Sequence, residues 1–186
     1  MYPSYDKAIS FFKEICGIPH GTYHIDEISD YLVKFAKDRN LTYRQDDLKN
    51  VIIWKPATAG YEEEPAIMLQ GHMDMVAVCD NPGEKDMLKE GLDLACEDGY
   101  LYAKNTSLGA DDGIALGYAL AILDAEDIEH PPLIAVFTVN EEVGMDGALG
   151  IDLSDCDATR LLNIDSEEEG VITSDERSIS FEVRYC

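Results

Sequence analysis

His72 and Asp74 stand two residues apart at the end of the apolar run 67–71. In an extended segment residues i and i+2 point the same way, about 6.5–7 Å apart at a rise of about 3.3 Å per residue. This spacing brings the Asp74 carboxylate within reach of one imidazole nitrogen and leaves the other for a metal. Metal-bound histidines use such a partner to fix tautomer and ring orientation. Taken alone, the pair is more simply read as a satisfied histidine at a strand end.

Three other stretches change that balance. The apolar run 133–139 leads to Glu141 and Glu142, the run 161–164 leads to Asp165, and Asp111 and Asp112 precede an apolar helical pattern. Each has an ordinary alternative: Asp112 suits a helix N-cap, paired glutamates are usually solvated, and Asp165 can open a turn. Together they place one histidine and several carboxylates at three strand ends and one helix entrance. Ligands of open α/β sheets bind outside the carboxyl ends of the strands, and clustered carboxylates repel unless a cation lies among them. The joint reading is a metal site.

The elements that must position these residues follow from periodicity. Residues 5–16 put Ala8, Ile9, Phe12 and Ile15 on one helical face, and Ile25, Ile28, Leu32, Phe35 and Ala36 mark a second helix ending near Asn40. Residues 41–43 and 51–54 are β-type around a polar turn and predict a hairpin. Residues 56–65 form a loop, and Asn81-Pro82-Gly83 opens a long acidic excursion before a β-like segment at 100–102. Residues 112–123 are apolar nearly all round, as in a buried helix. The continuous apolar run 133–139 suits a strand covered on both faces, and residues 144–150 suit a short helical turn. Residues 178–185 alternate strictly, with Ile179, Phe181, Val183 and Tyr185 on one side. Helices separating buried strands predict a three-layer αβα domain.

Composition narrows the function. The 186 residues carry a net charge of −24, which argues against nucleic acid and against anionic membrane surfaces. No apolar run approaches the ~20 residues of a membrane span. The five cysteines are scattered without CxxC pairing, and no secretory signal opens the chain. This pattern fits reduced thiols and a cytoplasmic protein.

Several stretches also resemble a known family. They are Ile18-Pro-His, Leu69-Gln-Gly-His-Met-Asp-Met-Val, Leu108-Gly-Ala-Asp-Asp-Gly-Ile-Ala, His130-Pro-Pro-Leu, Phe137-Thr-Val-Asn-Glu-Glu-Val-Gly-Met and Asn163-Ile-Asp-Ser-Glu-Glu-Glu-Gly. In this order the chain resembles the N-terminal part of the Xaa-His (aminoacyl-histidine) dipeptidases, a branch of the co-catalytic dizinc exopeptidases. The resemblance implies a zinc-exopeptidase-like αβα catalytic domain that hydrolyses dipeptides or short peptides at two zinc ions. His72 would bind one metal with Asp165, Asp74 would orient His72, and Asp111 would bridge to a second metal held by Glu142. Glu141 would be the general base. Oxygen-rich ligation also admits Co²⁺ or Mn²⁺.

The same resemblance implies one more histidine ligand near the family's C-terminus, after an inserted lid domain. His20, His24 and His130 lie in ordinary stretches and do not suit that role, and Ser174-Asp-Glu-Arg-Ser stands where a small, Gly-rich segment is expected. The expectation is a chain truncated before the lid: residues 1–174 as the N-terminal part of the catalytic domain, 175–186 as a stub. Such a chain is expected to hydrolyse dipeptides poorly, and the alternative is an inactive metal-binding or interaction module. Exposure of the apolar face and edge of 178–185 would favour self-association, a homodimer being its simplest form.

Overall fold

The structure, a computed structural model, describes residues 5–81, 83–166, 172–174 and 179–181. Its centre is a run of six residues, Leu133–Thr138, all of them buried. A strand buried on both sides must be covered by other elements, and the sequence supplies them. Ala66–His72 (β3) pairs with this strand (β6) in parallel, and Ala158–Asn163 (β7) pairs in parallel with the other side of β3. Thr42–Gln45 (β1) and Val51–Lys55 (β2) form the expected antiparallel hairpin, which joins the sheet through β2 and β6.

Beyond β7 lie Ile179–Phe181 (β9) and Ile172–Ser174 (β8), which completes the order β1-β2-β6-β3-β7-β9-β8. Strand β9 pairs on both sides, in parallel with β7 and antiparallel with β8. The free edge expected for 178–185 is therefore not found at residues 179–181; the rest of that stretch lies outside the described residues.

Three helices cover one face of the sheet. Tyr5–Cys16 (α1), Asp26–Asp38 (α2) and Ala110–Asp124 (α3) bury Phe11, Ile15, Ile28, Leu32, Leu116 and Leu120 against Val51, Ile53, Ala135 and Phe137. On the other face Ile52, Met68, Ile134 and Val136 pack against Ile151, Cys156 and Leu161. Among the described residues, the cover there is the short helix Asp146–Gly150 (α4) and the segment after it. The α/β architecture expected from the alternating pattern is thus present.

The connections place the ligand-type residues. Strand β3 leads through α3 to β6, and β6 leads past β3 through α4 to β7, so the carboxyl ends of three parallel neighbours open on one crevice. Ligands of doubly wound sheets bind at such a reversal of strand order. Two details differ from the expected elements. Leu94–Glu97 (β4) pairs with Tyr100–Ala103 (β5) as a separate hairpin. Its signal was Asp98-Gly99, both at positive φ, the dipeptide that two-residue hairpin turns favour. The expected turn at 144–150 is two elements, a 3₁₀ turn over Glu141–Val143 followed by α4.

Helix α3 packs closely on α1 because two of its residues lack side chains. A Cβ at Gly113 would lie 2.9 Å from the Phe12 ring, and one at Gly117 would lie 2.7 Å from the main-chain oxygen of Ala8. Alanine in a helix interior gains about 1 kcal/mol over glycine, whereas forced overlap in a packed core costs about 1–3 kcal/mol. At Gly117 the obstacle is main chain, which cannot swing aside, so the overlap outweighs the propensity. Gly117→Ala is expected to lower the unfolding free energy by up to about 2 kcal/mol in urea titrations. A stabilised variant would show that this crossing is not set by contact at Gly117.

Candidate metal centre

The last residue of β3 is His72, whose side chain is 1% exposed. Its main-chain N–H donates to Asp112 Oδ2 at 3.2 Å. Gly71 permits that contact: a Cβ there would lie 2.8 Å from the same Asp112 oxygen. Asp112 is therefore not the helix cap that its position suggested. It is buried, and helix α3 starts from Gly109 at positive φ with Asp111 and Asp112 both outside helical φ/ψ. The peptide bond between the two aspartates is cis. Asp112 points inward to the end of β3, and Asp111 is 70% exposed and faces the imidazole.

Around His72 Nε2 the structure collects three carboxylates. Asp111 Oδ1 is 2.9 Å away, Asp165 Oδ2 3.7 Å and Glu141 Oε2 3.9 Å. Glu142 joins on the same side: ligand atoms of His72, Asp111 and Glu142 lie within 4.8 Å of one another, as do those of His72, Glu141 and Asp165. Every residue proposed from the sequence as a ligand or base thus reaches one cluster.

In extended chain Glu141 and Glu142 would face apart, one toward the metals and the other toward the water, without fixing which does which. Asn140, at positive φ, ends the extended chain, and the two glutamates begin a 3₁₀ turn, where successive side chains diverge by only ~120°. Buried Asn50 holds this turn in place. Its Oδ1 accepts from Val139 N–H and its Nδ2 donates to Gly147 O, both at 3.1 Å.

Asp74 also does more than its spacing implied. The Nδ1 of His72 lies 3.0 Å from the main-chain oxygen of Asp74 and 3.5 Å from its carboxylate. The nearer partner is therefore main chain. The carboxylate accepts from Glu141 N–H at 3.0 Å and from Thr22 Oγ1 at 2.9 Å. One buried aspartate ties the imidazole to the main chain that carries Glu141. Neither Thr22 nor Asn50 was a candidate from sequence, because both act through contacts across more than fifty residues.

Charge follows geometry. Burial opposes a charged His72 ring, but hydrogen bonding to Asp74, the charge of Asp112 and the bond to Asp111 outweigh it and push the imidazole up to about 10. Burial, joined by the charges of Asp165 and Asp111, pushes Asp112 well above the carboxylate range, against the pull of His72. Burial and the Asp111 charge likewise push Glu142 up. Burial of Asp74 works the other way from its three hydrogen bonds, which prevail and hold it below its ordinary value. Among the described residues the cluster is an excess of negative charge, offset by the His72 proton.

The donor set, one imidazole and several carboxylate oxygens, fits a divalent transition ion. Separations of 2.9–3.9 Å between His72 Nε2 and its neighbours are those of atoms sharing a ligand ~2.0–2.2 Å from each. Among the described residues His20, His24 and His130 do not join the cluster. Beside it lies a cleft of about 290 Å³ with Glu141 and Asp165 on its rim and Met68, Val136, Ile151 and Leu161 on its walls. A larger cleft of about 600 Å³, against Trp54, Ala66 and Leu133, contains none of the cluster residues. No helix among the described residues is long and apolar enough to cross a membrane.

No family model matches the chain. It is 41% identical over 161 residues to the cytosol non-specific dipeptidase of Escherichia coli, covering 87% of this chain and 33% of that protein. Among solved structures it resembles aminoacylhistidine dipeptidase from Vibrio alginolyticus, with a TM-score of 0.86 and 36% identity over 91% of this chain and 34% of the other. It also resembles aminopeptidase PepT from Bacillus cereus, with a TM-score of 0.72 and 26% identity over 89% of this chain and 44% of the other. The chain spans about a third of the length of the first two relatives.

The raised His72 value has a consequence for metal-free protein. An unfolded histidine titrates near 6.5, so the stabilisation from charged His72 is complete below about pH 6.5. It is lost as pH rises through the folded value of about 10. In an NMR titration of metal-free protein, the His72 ring signals should keep their protonated shifts through pH 8. A midpoint at or below 6.5 would show that the carboxylates do not hold the proton.

Proposed function

We propose that this chain, a relative of the Xaa-His dipeptidases by sequence and by structure, carries the hydrolytic metal centre of a metallodipeptidase acting on dipeptides or short peptides. The observation that carries this reading is the buried His72, whose Nε2 is ringed by Asp111, Asp165 and Glu141 at 2.9–3.9 Å. An unmetalled protein gains nothing from such crowding, since like charges at these distances repel and the ring must hold a proton to offset them.

His72 and Asp165 would hold one ion, Glu142 a second, and Asp111 would lie between them. Zn²⁺, Co²⁺ and Mn²⁺ all suit these donors. When bound, a pair of divalent cations lowers the pKa of water and polarises a peptide carbonyl.

The remaining roles belong to the protein. Glu141 Oε2 would accept the proton of the attacking water and return it to the leaving amine. Its position for this is set through its own main chain, because Asp74 accepts from Glu141 N–H and also faces His72. Asp74 thereby keeps base and ligand in one register. The cleft beside Glu141 and Asp165, with apolar walls at Met68, Val136, Ile151 and Leu161 and polar ones at Gln70, Thr138 and Asn163, offers space for a substrate side chain. The cytoplasm is the location in keeping with the relative's printed name and with cysteines that form no disulfide among the described residues.

Glu141 and Glu142 both reach the cluster, so their roles are separated by substitution. Glu141→Gln should retain metal affinity, and the matching change in a full-length relative should lower kcat by about 10²–10⁴-fold. Glu142→Gln should weaken metal binding instead. Metal content by atomic emission and kcat for both pairs decide the assignment, and the reverse pattern would exchange the roles. Titration of metal-free protein with Zn²⁺ should give saturable binding that His72→Ala weakens. Equal affinity in the two proteins would remove His72 from the site.

A further inference from the structure

One row behind the ligands, on the same side of the sheet, three polar side chains cross the central strands. Thr138 of β6, Gln70 of β3 and Asn163 of β7 lie on neighbouring strands, with Gln70 paired to Asn163 in register. Asn163 Nδ2 donates to Gln70 Oε1, and Gln70 Nε2 donates to Thr138 Oγ1 at 3.3 Å. At the other end of the row, Asn163 Oδ1 accepts from Asp165 N–H at 3.0 Å. Every link runs in one direction: Asp165 main chain to Asn163, Asn163 to Gln70, Gln70 to Thr138.

The rest of this face, from Met68, Ile134 and Val136 to Leu161, is apolar. Thr138 is buried, and Gln70 and Asn163 are half-buried along the cleft beside Glu141 and Asp165, where their bonds to one another fix the orientation of each amide. The row ends on the main chain of Asp165. Asp165 follows the end of β7, whose pairing with β3 stops at Asn163 among the described residues. The bond from Asp165 N–H to Asn163 Oδ1 closes a turn over residues 163–165 and directs the Asp165 side chain to within 3.7 Å of His72 Nε2. The bond from Asn163 to Gln70 anchors that turn to β3, the strand that carries His72.

We propose that Asn163 and Gln70 are positioning residues of the metal centre, which hold Asp165 at the distance from His72 that a shared cation requires. Thr138 terminates the row and fixes the Gln70 amide. The inference rests on the metal-centre reading above. It concerns how the site is preorganised and not which metal or peptide it takes. Removing the outer partners of metal ligands typically costs 10–100-fold in metal affinity, and the row is built as such an outer partner.

The test is Zn²⁺ affinity by competition with a chromophoric chelator, together with the visible spectrum of the Co²⁺-loaded protein. Both are measured on the wild type, Asn163→Leu, Gln70→Leu, Gln70→Glu and His72→Ala. Thermal unfolding of each metal-free protein is recorded beside them. Asn163→Leu and Gln70→Leu are expected to weaken Zn²⁺ binding by about 10-fold or more and to change the Co²⁺ band intensities. Gln70→Glu can accept from both Asn163 Nδ2 and the Thr138 hydroxyl, and is expected to bind at least as tightly as wild type to within about threefold.

A purely structural role would lower the unfolding temperature of both leucine variants and leave Zn²⁺ affinity and the Co²⁺ spectrum as in wild type, which would overturn the proposal. If Asn163→Leu does not fold, Gln70→Leu against Gln70→Glu gives the same decision. A wild type that binds no Zn²⁺, or a His72→Ala protein that binds as well as wild type, would overturn the metal-centre reading itself. Loss in His72→Ala with none in the leucine variants would overturn only the positioning row.

Discussion

The crowding of carboxylates on one buried imidazole is the constraint from which the rest of the site follows. Unit charges ~4 Å apart interact by about 4 kcal/mol at the effective dielectric of a protein surface, and several such pairs meet at His72. In metal-free protein the described residues relieve this crowding by protonation. That is the direction of the shifts: His72 is raised to about 10, and Asp112 and Glu142 are raised with it. A divalent cation reverses each of these tendencies at once, because it replaces the ring proton and satisfies the carboxylates as anions. The same arrangement that is unfavourable empty is a ligand set when filled.

Such a cluster persists only if the surrounding structure holds it, and the holding is done by main chain. Strand β3 delivers His72 rigidly because it lies between β6 and β7. Asp112 accepts the His72 N–H from the irregular start of α3, and Gly71 leaves the space for it. Asn50 fixes the exit of β6 at Val139 and Gly147, which places the 3₁₀ turn of Glu141 and Glu142. Glu141 and Glu142 thus follow a strand buried along its whole length, and Asp111 opens the largely buried helix α3. The site inherits its precision from hydrophobic packing some distance away.

This division explains what could be read from the sequence. Apolar runs that stop at His72, at Glu141-Glu142 and at Asp165 are local signals, and so is the apolar helix behind Asp111. Those residues meet because parallel strands put their carboxyl ends together, a rule of topology and not of any one contact. What escaped was everything set by a long-range polar contact. Asn50 lies in a hairpin turn and reads as a turn residue, yet it is buried against the loop after β6. Thr22 lies in a break between helices and bonds to Asp74. Asp112 looked like an N-cap, and the helix start departs from helical φ/ψ at that residue. Strand β4 was missed for a different reason: its four residues are neither strongly apolar nor alternating, and only the Asp98-Gly99 turn marked it.

The case of Glu141 and Glu142 shows where periodicity stops being a guide. Alternation is a property of extended chain, and the strand ends before these residues, at Asn140 in the left-handed region. In the tighter turn that follows, both carboxylates swing to the same crevice, so their chemistry cannot be separated by which way each one points. It is separated by attachment. The Glu141 main chain is bonded to Asp74, and that same carboxylate also faces His72, so Glu141 moves with the ring. Glu142 has no such tie among its hydrogen bonds to the described residues, and its carboxyl is raised by burial and by Asp111. A base must keep a fixed position relative to the water it deprotonates, and the bond from its main chain to Asp74 gives Glu141 that position. That difference in attachment favours Glu141 as the base and Glu142 as the ligand.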